Sequence, residues 1–520
     1  MGLKKYGNKG FFFVSALIFA VVLVNLASTY KALGFGFWRD DWLYVWGLEI
    51  LKDPGFFSNL NIGVSYPLNL ARLVLLSKVL DVSPLGWQIF NVLFRILASL
   101  AAGLMILAVT RSKIVAVVAS LFLSAGVAGI EPASFLGANN VVFFIIPLSI
   151  GFYLWVVSLK KENFKLFAVS ALIFAICVKG EVWGYYLIPL TAALWDVLYL
   201  LRNRTSKAAK LVSIRLAALF IFLLSISRLP PNPNWFERNN GLNKLLSINP
   251  LNIRNFLASL GNLVLGSLVY IQESGGVSVF LRHSFFVGLG FLVSWLGLVI
   301  SYLFRPSEKK AVLIFLSAWT ILFYLPNWIF ESTLVVGASH RYLTISSVGF
   351  YGLIAFALSF SNKRTLFLAS TFFIITNIYL ANRILGDTSK FRSNTIIQSI
   401  VGTMDKSIPP QQGDVIIYYK GDGIIRGYIL DWSLGIPFAI ERKIADRTKF
   451  PIWTGSDEIV RKLLCGEKVV VNLVGTGEGY ERGGYRIPKD HLHAFNVKDS
   501  GEVIVFSKEK RDEFNFLNCQ

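Results

Sequence analysis

The sequence predicts a polytopic α-helical membrane protein with about eleven transmembrane helices and a small C-terminal α/β domain. Of the 520 residues, 54% are hydrophobic and 16% are charged, whereas an average soluble domain has about 25% charged residues. Apolar runs long enough to cross a bilayer recur throughout the first part of the chain, separated by short clusters of Lys and Arg. Residues 382–520 instead alternate strand-like segments with glycine and charge. The chain therefore divides into a membrane domain, 1–381, and a soluble domain, 382–520.

The apolar runs set the order of the predicted spans. The first run, residues 11–30, follows Lys4, Lys5 and Lys9, which indicates an uncleaved span with a cytoplasmic N-terminus, since no convincing cleavage pattern follows it. Ten further spans are predicted at 84–109, 114–130, 140–159, 166–179, 184–201, 213–229, 284–304, 311–326, 342–360 and 365–381.

The loop charges give the orientation of these spans. Lys and Arg cluster in every second loop, the distribution typical of cytoplasmic loops; the clusters lie at 111–113, 160–165, 202–215, 305–310 and 363–364. An odd number of spans then places the C-terminal domain outside the cytoplasm. We expect a multi-pass protein of the cell membrane with an extracytoplasmic C-terminal domain.

One apolar segment does not fit this alternation. Residues 254–271 are apolar enough to span, but a span there would place Arg305, Lys309 and Lys310 outside. We therefore expect an interfacial or re-entrant helix within a long outer loop, 230–283.

The net charge of +20 also bears on partners. Residues 1–380 hold 31 Lys and Arg against 13 Asp and Glu, and residues 381–520 hold 20 against 18. Because the basic excess lies in short loops between apolar runs, it indicates topology, and no nucleic-acid partner is expected.

Strand-like and helical segments are predicted in the soluble domain. Strands are expected at Val415–Tyr419, Val469–Leu473 and Val503–Ser507, and a helix at Asp457–Cys465 with Ser456 as its N-cap. Together with the glycine-rich connections, they predict a small α/β domain.

The cysteines and histidines give little evidence of a metal site. Cys177 lies in an apolar run, and Cys465 and Cys519 could pair if the tail is exported. His491 and His493 would share a face of a strand, but no third ligand is evident. No cofactor is predicted, although a divalent metal ion is not excluded.

Two adjacent acids in the first outer loop, 31–83, are the first candidate site residues. Asp40 and Asp41 lie among aromatic residues next to the first span, and a carboxylate pair at a membrane interface is costly unless it is used. The alternative is a solvated acidic loop. In an extended loop the two side chains point to opposite sides, so only one faces a substrate, and the sequence leaves open which one.

Further charged residues are predicted at the same membrane face. Glu131 ends one span, Lys179 and Glu181 end another, and His340 and Arg341 open a third. Each has an ordinary role as a helix cap or a lipid-headgroup contact. Together they indicate an outward cavity with carboxylates to accept a proton and cations to hold a phosphate.

Four sequence segments carry a resemblance to a known superfamily. In order they are Ser65–Leu68 with Gly86–Arg95, Ile130–Ala133, Val178–Glu181 with Pro189 and Asp196, and His340–Phe350. This series resembles the motifs of GT-C glycosyltransferases, and the nearest branch is that of the transmembrane and tetratricopeptide O-mannosyltransferases, although no tetratricopeptide repeats follow.

The resemblance implies a glycosyltransferase that uses a polyprenyl-phosphate-linked sugar. Asp40 or Asp41 would deprotonate an acceptor hydroxyl. Glu131 and Glu181 would orient acceptor or donor, and Lys179, Arg341 and His340 would bind the lipid phosphate. The expected partners are the bilayer, the lipid-linked sugar, and a glycan or protein acceptor. Two alternatives stay open: a lipid-linked glycan flippase or exporter, and a non-catalytic membrane assembly subunit.

Overall fold

The fold was obtained as a computed structural model, which describes residues 7–37, 40–50, 52, 67–80, 82–137, 139–178, 184–227, 250–264, 277–303, 308–330, 341–409, 414–421, 435–446, 449–472, 479–498, 500–512 and 514. The helices up to the end of the bundle are α1 (Gly7–Thr29), α2 (Asp40–Val45), α3 (Pro67–Leu80), α4 (Pro84–Thr110), α5 (Lys113–Ala125), α6 (Ile130–Ser134), α7 (Asn140–Lys161), α8 (Phe164–Val178), α9 (Gly184–Asn203), α10 (Ser206–Ser227), α11 (Pro250–Val264), α12 (Val277–Leu303), α13 (Glu308–Phe330), α14 (Thr344–Leu358) and α15 (Lys363–Arg392).

A helix coincides with each of the eleven predicted spans. Within the described part of the chain, six helices are long and apolar enough to cross a membrane, and three shorter ones are also apolar. Large apolar side chains such as Phe12, Phe220 and Phe286 are exposed on α1, α10 and α12, as expected for helix faces that contact lipid. The chain is a multi-pass helical membrane protein.

The described part of the segment that did not fit the charge alternation, residues 254–264, lies in α11, which packs against α12 at two glycines. A Cβ atom on Gly261 would lie 1.8 Å from the Ser284 carbonyl oxygen, and one on Gly288 would lie 1.8 Å from that of Leu257. The two backbones are therefore in direct contact, as small residues allow in membrane helix pairs. Residues 265–271 of the segment lie outside the described part, so the expectation of an interfacial or re-entrant helix stays a prediction.

The C-terminal part is a small α/β domain. Its elements are α16 (Asn394–Ser407), β1 (Ile416–Gly421), α17 (Gly435–Glu441), β2 (Ile452–Thr454), α18 (Asp457–Leu464), β3 (Lys468–Asn472), β4 (Gly479–Gly483), β5 (Leu492–Val497), β6 (Val503–Val505) and α19 (Lys508–Asp512). One sheet has the strand order β2-β1-β5-β6, with β1 parallel to both neighbours and β6 antiparallel to β5. The hairpin β3–β4 forms a second sheet.

The sequence predicted part of this domain. The predicted strands at 415–419, 469–473 and 503–507 overlap β1, β3 and β6, whereas β2, β4 and β5 were not predicted. The predicted helix is α18, and the Ser456 hydroxyl accepts a hydrogen bond from the Ile459 N–H at 3.4 Å, as an N-cap does. The predicted domain boundary at 381 falls inside α15, which continues without a break to Arg392.

The first outer loop packs against the C-terminal domain. After α2 the chain forms a π-helical turn, Trp46–Ile50. The indole of Trp46 is buried, donates a hydrogen bond to the Ile444 carbonyl at 2.8 Å, and meets the Phe450 ring edge-on at 4.9 Å. On the other side, Gly36 N–H donates to the Arg392 carbonyl at 2.8 Å. The C-terminal domain thus covers the loop that carries the predicted acid pair.

Candidate active site

The acid pair lies at the start of a helix rather than in an extended loop. Asp40 and Asp41 are the first two residues of α2, so their backbone positions lie about 100° apart around the helix axis. Asp41 is fully buried, and its Oδ1 accepts a hydrogen bond from the Gly137 backbone N–H at 2.8 Å. The side chain of Asp40 lies outside the described part. Asp41 therefore anchors α2 to the connection between α5 and α7.

A buried arginine that the sequence analysis missed lies beside Asp41. Arg72 on α3 is 3% exposed, and its guanidinium donates to the Asn139 side-chain oxygen at 2.8 Å, to the Leu136 carbonyl at 3.1 Å, and twice to the Asn69 side-chain oxygen. Burial lowers the pKa of Arg72 to about 10 against the attraction of Tyr44 and Asp41, so it is charged at neutral pH. Arg72 and Asp41 form a buried pair of opposite charges.

Glu131 is held against the turn that opens α14. It is 8% exposed, and its Oε2 accepts a hydrogen bond from the Arg341 backbone N–H at 3.0 Å. Gly129, with φ of +88°, precedes α6, and a Cβ atom there would lie 3.2 Å from the Thr344 methyl group. A left-handed backbone next to a close contact favours glycine at this position. Glu131 and Arg341, distant in sequence, therefore meet at one place.

The connection between α5 and α7, residues 126–139, joins these contacts. Its Gly137 N–H bonds Asp41, and its Leu136 carbonyl bonds Arg72. From the start of the C-terminal domain, Arg392 donates to both the hydroxyl and the carbonyl of Ser134. Arg392 is fully buried, and its guanidinium lies 5.2 Å from the ring centre of Phe35. Three parts of the chain are thus fixed to one connection at one end of the bundle.

The remaining predicted site residues divide into two groups. Lys179, Glu181 and His340 lie outside the described residues. Asp196, which belongs to the segments that carry the resemblance, forms a buried ion pair with Arg215 at 2.8 Å. The indole N–H of Trp155 also donates to Asp196 at 3.0 Å. This arrangement gives Asp196 a structural role.

The histidines and cysteines of the described chain do not assemble into a metal centre. Among the residues with described coordinates, no three His, Cys, Asp or Glu side chains come together as a metal site. His491 ends a 3-10 turn and His493 lies in β5, so the two do not share a strand. Cys177 is a buried free thiol, as its apolar surroundings predicted, and Cys465 is disulfide-bonded.

No protein-family model matches the chain, and no curated protein sequence does. Among solved structures it is similar to the archaeal oligosaccharyltransferase AglB from Archaeoglobus fulgidus with an inhibitory peptide and a dolichol-phosphate. That match has a TM-score of 0.47 and 13% identity over 88% of this chain and 67% of that one. The apo form of the Archaeoglobus fulgidus oligosaccharyltransferase matches with a TM-score of 0.47 and 13% identity, over 85% of this chain and 64% of that one.

ArnT from Cupriavidus metallidurans bound to undecaprenyl phosphate matches with a TM-score of 0.44 and 11% identity over 92% of this chain and 99% of that one. The chain spans about two thirds of the oligosaccharyltransferases and nearly all of ArnT. At these identities and TM-scores, the likeness assigns neither a substrate nor a catalytic residue to this chain.

Arg72 and Arg392 are the residues of this region that sequence reasoning missed. Arg72 lies within the short helix α3 and Arg392 ends α15, and a cation at the membrane surface is ordinarily expected to be exposed or to contact lipid headgroups. Their hydrogen-bond acceptors are mainly backbone carbonyls and amide oxygens, which leave no charge pattern in the sequence.

Proposed function

We propose that this chain is a GT-C type glycosyltransferase that moves a sugar from a polyprenyl-phosphate donor to an acceptor hydroxyl on the outer face of the membrane. The observation that carries the proposal is the convergence on the 126–139 connection. Asp41 from the first outer loop is held there by the Gly137 N–H, and Glu131 in this connection accepts a hydrogen bond from the backbone N–H of Arg341, just before α14. A lipid-linked donor keeps its chain in the bilayer, so the reaction needs charged groups at this level.

The contacts favour different roles for the two aspartates. Asp41 is enclosed and its carboxylate is already bonded to Gly137 N–H, so we propose it as a positioning residue that also neutralises Arg72. Asp40, one residue earlier and about 100° around α2, is then the proposed general base. Glu131 holds the backbone at Arg341, and we propose that it positions the phosphate-binding cations more than it contacts an acceptor.

The proposed reaction follows from these roles. The base takes the proton of the acceptor hydroxyl, whose oxygen attacks the anomeric carbon of the sugar. The bond from that carbon to the phosphate oxygen breaks with inversion, and its electron pair leaves with the polyprenyl phosphate. Arg341, Lys179 and His340 would stabilise the phosphate as negative charge develops, and Glu181 would orient the donor or the acceptor. The acceptor is a glycan, lipid or protein hydroxyl.

The test compares Asp40→Asn with Asp41→Asn in the purified full-length chain. Lipid-linked sugars extracted from the host membranes serve as donors, and mass spectrometry follows the release of polyprenyl phosphate. We expect Asp40→Asn to slow transfer by about 10²–10⁴-fold, with an unchanged melting temperature. Asp41→Asn retains an oxygen for Gly137 N–H and should show a smaller loss of rate with a lower melting temperature. Near-normal transfer by both variants would exclude this mechanism.

The flippase alternative predicts a different product. A flippase moves a lipid-linked glycan across a vesicle membrane without releasing polyprenyl phosphate, and it should tolerate the loss of either aspartate. Comparing cell-envelope glycans and glycoproteins by mass spectrometry, with and without this chain, separates the two functions and identifies the acceptor class.

A further inference from the structure

An apolar cavity of about 290 Å³ lies between four helices of the bundle, α7, α8, α9 and α10. Its inner wall is formed by fully buried side chains, among them Trp155, Phe174 and Ile188, whereas Ile221 in the same lining is 63% exposed. Phe220, the neighbour of Ile221 on α10, is exposed as well. The cavity therefore runs from the lipid-facing surface of α10 into the core of the bundle.

The cavity lies at the level of the hydrocarbon layer. At about 1.5 Å per residue, Ala171 lies about 10 Å from the start of α8 and Ala218 about 18 Å from the start of α10, and both line the cavity. The two helices begin on the same side, the one predicted to be cytoplasmic, and the hydrocarbon layer is about 30 Å thick. At that depth the molecules that surround the protein are hydrocarbon chains.

The lining offers water almost no hydrogen bonds. Among the lining residues that the structure describes, only Trp155 and Ser225 have polar side-chain atoms. The Trp155 indole N–H donates to Asp196 at 3.0 Å, and the Ser225 hydroxyl donates to the Ile221 carbonyl at 2.8 Å. A buried water needs about two to four polar partners, whereas a dry apolar cavity of about 150 Å³ already binds a small hydrocarbon such as benzene. The lining is therefore suited to an apolar ligand.

We propose that this cavity binds the end of one acyl chain of a membrane phospholipid, which enters from the bilayer beside α10. At about 30 Å³ for a group the size of a water molecule, the cavity holds roughly ten methylene groups. A chain there packs against Trp155, whose ring lies 3.9 Å from the Arg215 guanidinium and whose N–H holds Asp196. The bound chain thus keeps water away from this buried ion pair, and the site does not depend on the proposed function.

The polyprenyl chain of the proposed donor is the competing occupant. The described lining comes from α7–α10 alone, whereas Asp41 and Glu131 of the candidate active site lie on α2 and α6. The exposed Ile221 places the mouth at the surface of α10 that contacts bulk lipid, and the chains of bulk lipid are those of phospholipids. These observations favour an acyl chain, and the experiment must separate the two occupants.

The test is photo-crosslinking of the full-length chain in phosphatidylcholine bilayers that contain a small share of phosphatidylcholine with a diazirine near the end of one acyl chain. Peptide mass spectrometry measures labelling at Phe174, which lines the cavity and is 1% exposed, and at Leu172, which is 64% exposed on the same helix. Ala218→Phe fills part of the cavity from α10, and Ala217→Phe adds the same side chain at the neighbouring exposed position. A parallel arm uses a polyprenyl phosphate that carries the diazirine, at the same molar fraction.

We expect the phosphatidylcholine probe to label both Phe174 and Leu172 in the wild type, because a chain inside the cavity reaches the buried ring and the surrounding lipid reaches the exposed one. Ala218→Phe should lower labelling at Phe174 by about tenfold or more, since it removes space for several methylene groups, and should leave labelling at Leu172 unchanged. Ala217→Phe should match the wild type at both residues.

A second pair of variants keeps the test valid if Ala218→Phe folds poorly. Ala171→Phe fills the same cavity from α8, and Ala168→Phe is its control at an exposed position of that helix. The proposal is overturned if Phe174 is not labelled in the wild type, or if it is labelled equally in the filled and control variants. Stronger labelling of Phe174 by the polyprenyl probe than by the phosphatidylcholine probe would also overturn it and assign the cavity to the donor.

Discussion

The buried ion pair between Asp196 and Arg215 gives the sharpest test of the packing inside the bundle. The two side chains are 0% and 2% exposed, and their charged atoms are 2.8 Å apart. The guanidinium also donates to the Ser158 hydroxyl at 2.8 Å and to the Trp155 carbonyl at 3.1 Å, and it lies 3.9 Å from the Trp155 ring centre. We expect Asp196→Asn to destabilise the fold because it leaves this cation buried without a countercharge.

The size of the effect follows from which contacts remain. The asparagine side chain of this variant keeps the shape and one oxygen to accept from Trp155 or Arg215, so the loss is mainly electrostatic. Removing one partner of a buried pair costs about 3–5 kcal/mol, and the retained hydrogen bonds place Asp196→Asn near the lower end of that range. The double variant Asp196→Asn/Arg215→Met removes the cation as well and should recover most of the lost stability.

The assay is reversible unfolding in mixed micelles, followed by fluorescence, for the wild type, both single variants and the double variant. Lys207→Gln is the control, since Lys207 pairs with Glu162 at 2.7 Å but is 76% exposed, and surface pairs contribute about 0–1 kcal/mol. If the free energy of unfolding of Asp196→Asn lies within about 0.5 kcal/mol of the wild-type value, the ion pair does not stabilise the fold. A loss of activity at unchanged stability would then give Asp196 a functional role.

Three further predictions concern the C-terminal domain. Arg392→Gln should lower stability by about 2–3 kcal/mol, because buried charged hydrogen bonds to Ser134 are lost, whereas the exposed Arg383→Gln on the same helix should not; equal melting curves would contradict this. Burial, together with repulsion from Arg511, His491 and Arg442, lowers the pKa of His493 to about 4. As the pH falls, the unfolded chain therefore binds the proton before the folded protein does. The free energy of unfolding should decrease as the pH is lowered from 6.5 to 4. His493→Gln should flatten this pH dependence, and an unchanged slope would refute it. An alkaline phosphatase fused after Gln520 should be active and one fused after Lys161 inactive; the reverse would place the C-terminal domain in the cytoplasm.

Much of the bundle could be predicted because lipid restricts the choices. A backbone in hydrocarbon must satisfy its own hydrogen bonds, so each long apolar run forms a helix, and the eleven runs do. Two of the acids that the sequence singled out, Asp41 and Glu131, are buried and accept hydrogen bonds from backbone N–H groups, which satisfies carboxylates that would otherwise be costly near lipid. The sequence analysis expected an extended loop at Asp40 and Asp41 and missed the helix α2, because so short a helix shows no helical periodicity of apolar residues.

The 126–139 connection shows why the rest of the site was not predictable. Glu131 is its one charged residue, yet three arginines from elsewhere donate to carbonyls in or next to it: Arg95 to Gly126 at 2.5 Å, Arg72 to Leu136 at 3.1 Å, and Arg392 to Ser134. Carbonyls accept these bonds whatever the side chain, so the connection's own sequence gives no sign of them. The sequence signal lies instead in the arginines that donate these bonds, because an arginine inside an apolar run must find hydrogen-bond acceptors. By that criterion Arg95 and Arg215 stand out, and each is buried against carbonyl oxygens. The connection that holds Asp41 and Glu131 therefore takes its shape from guanidinium groups on three separate helices.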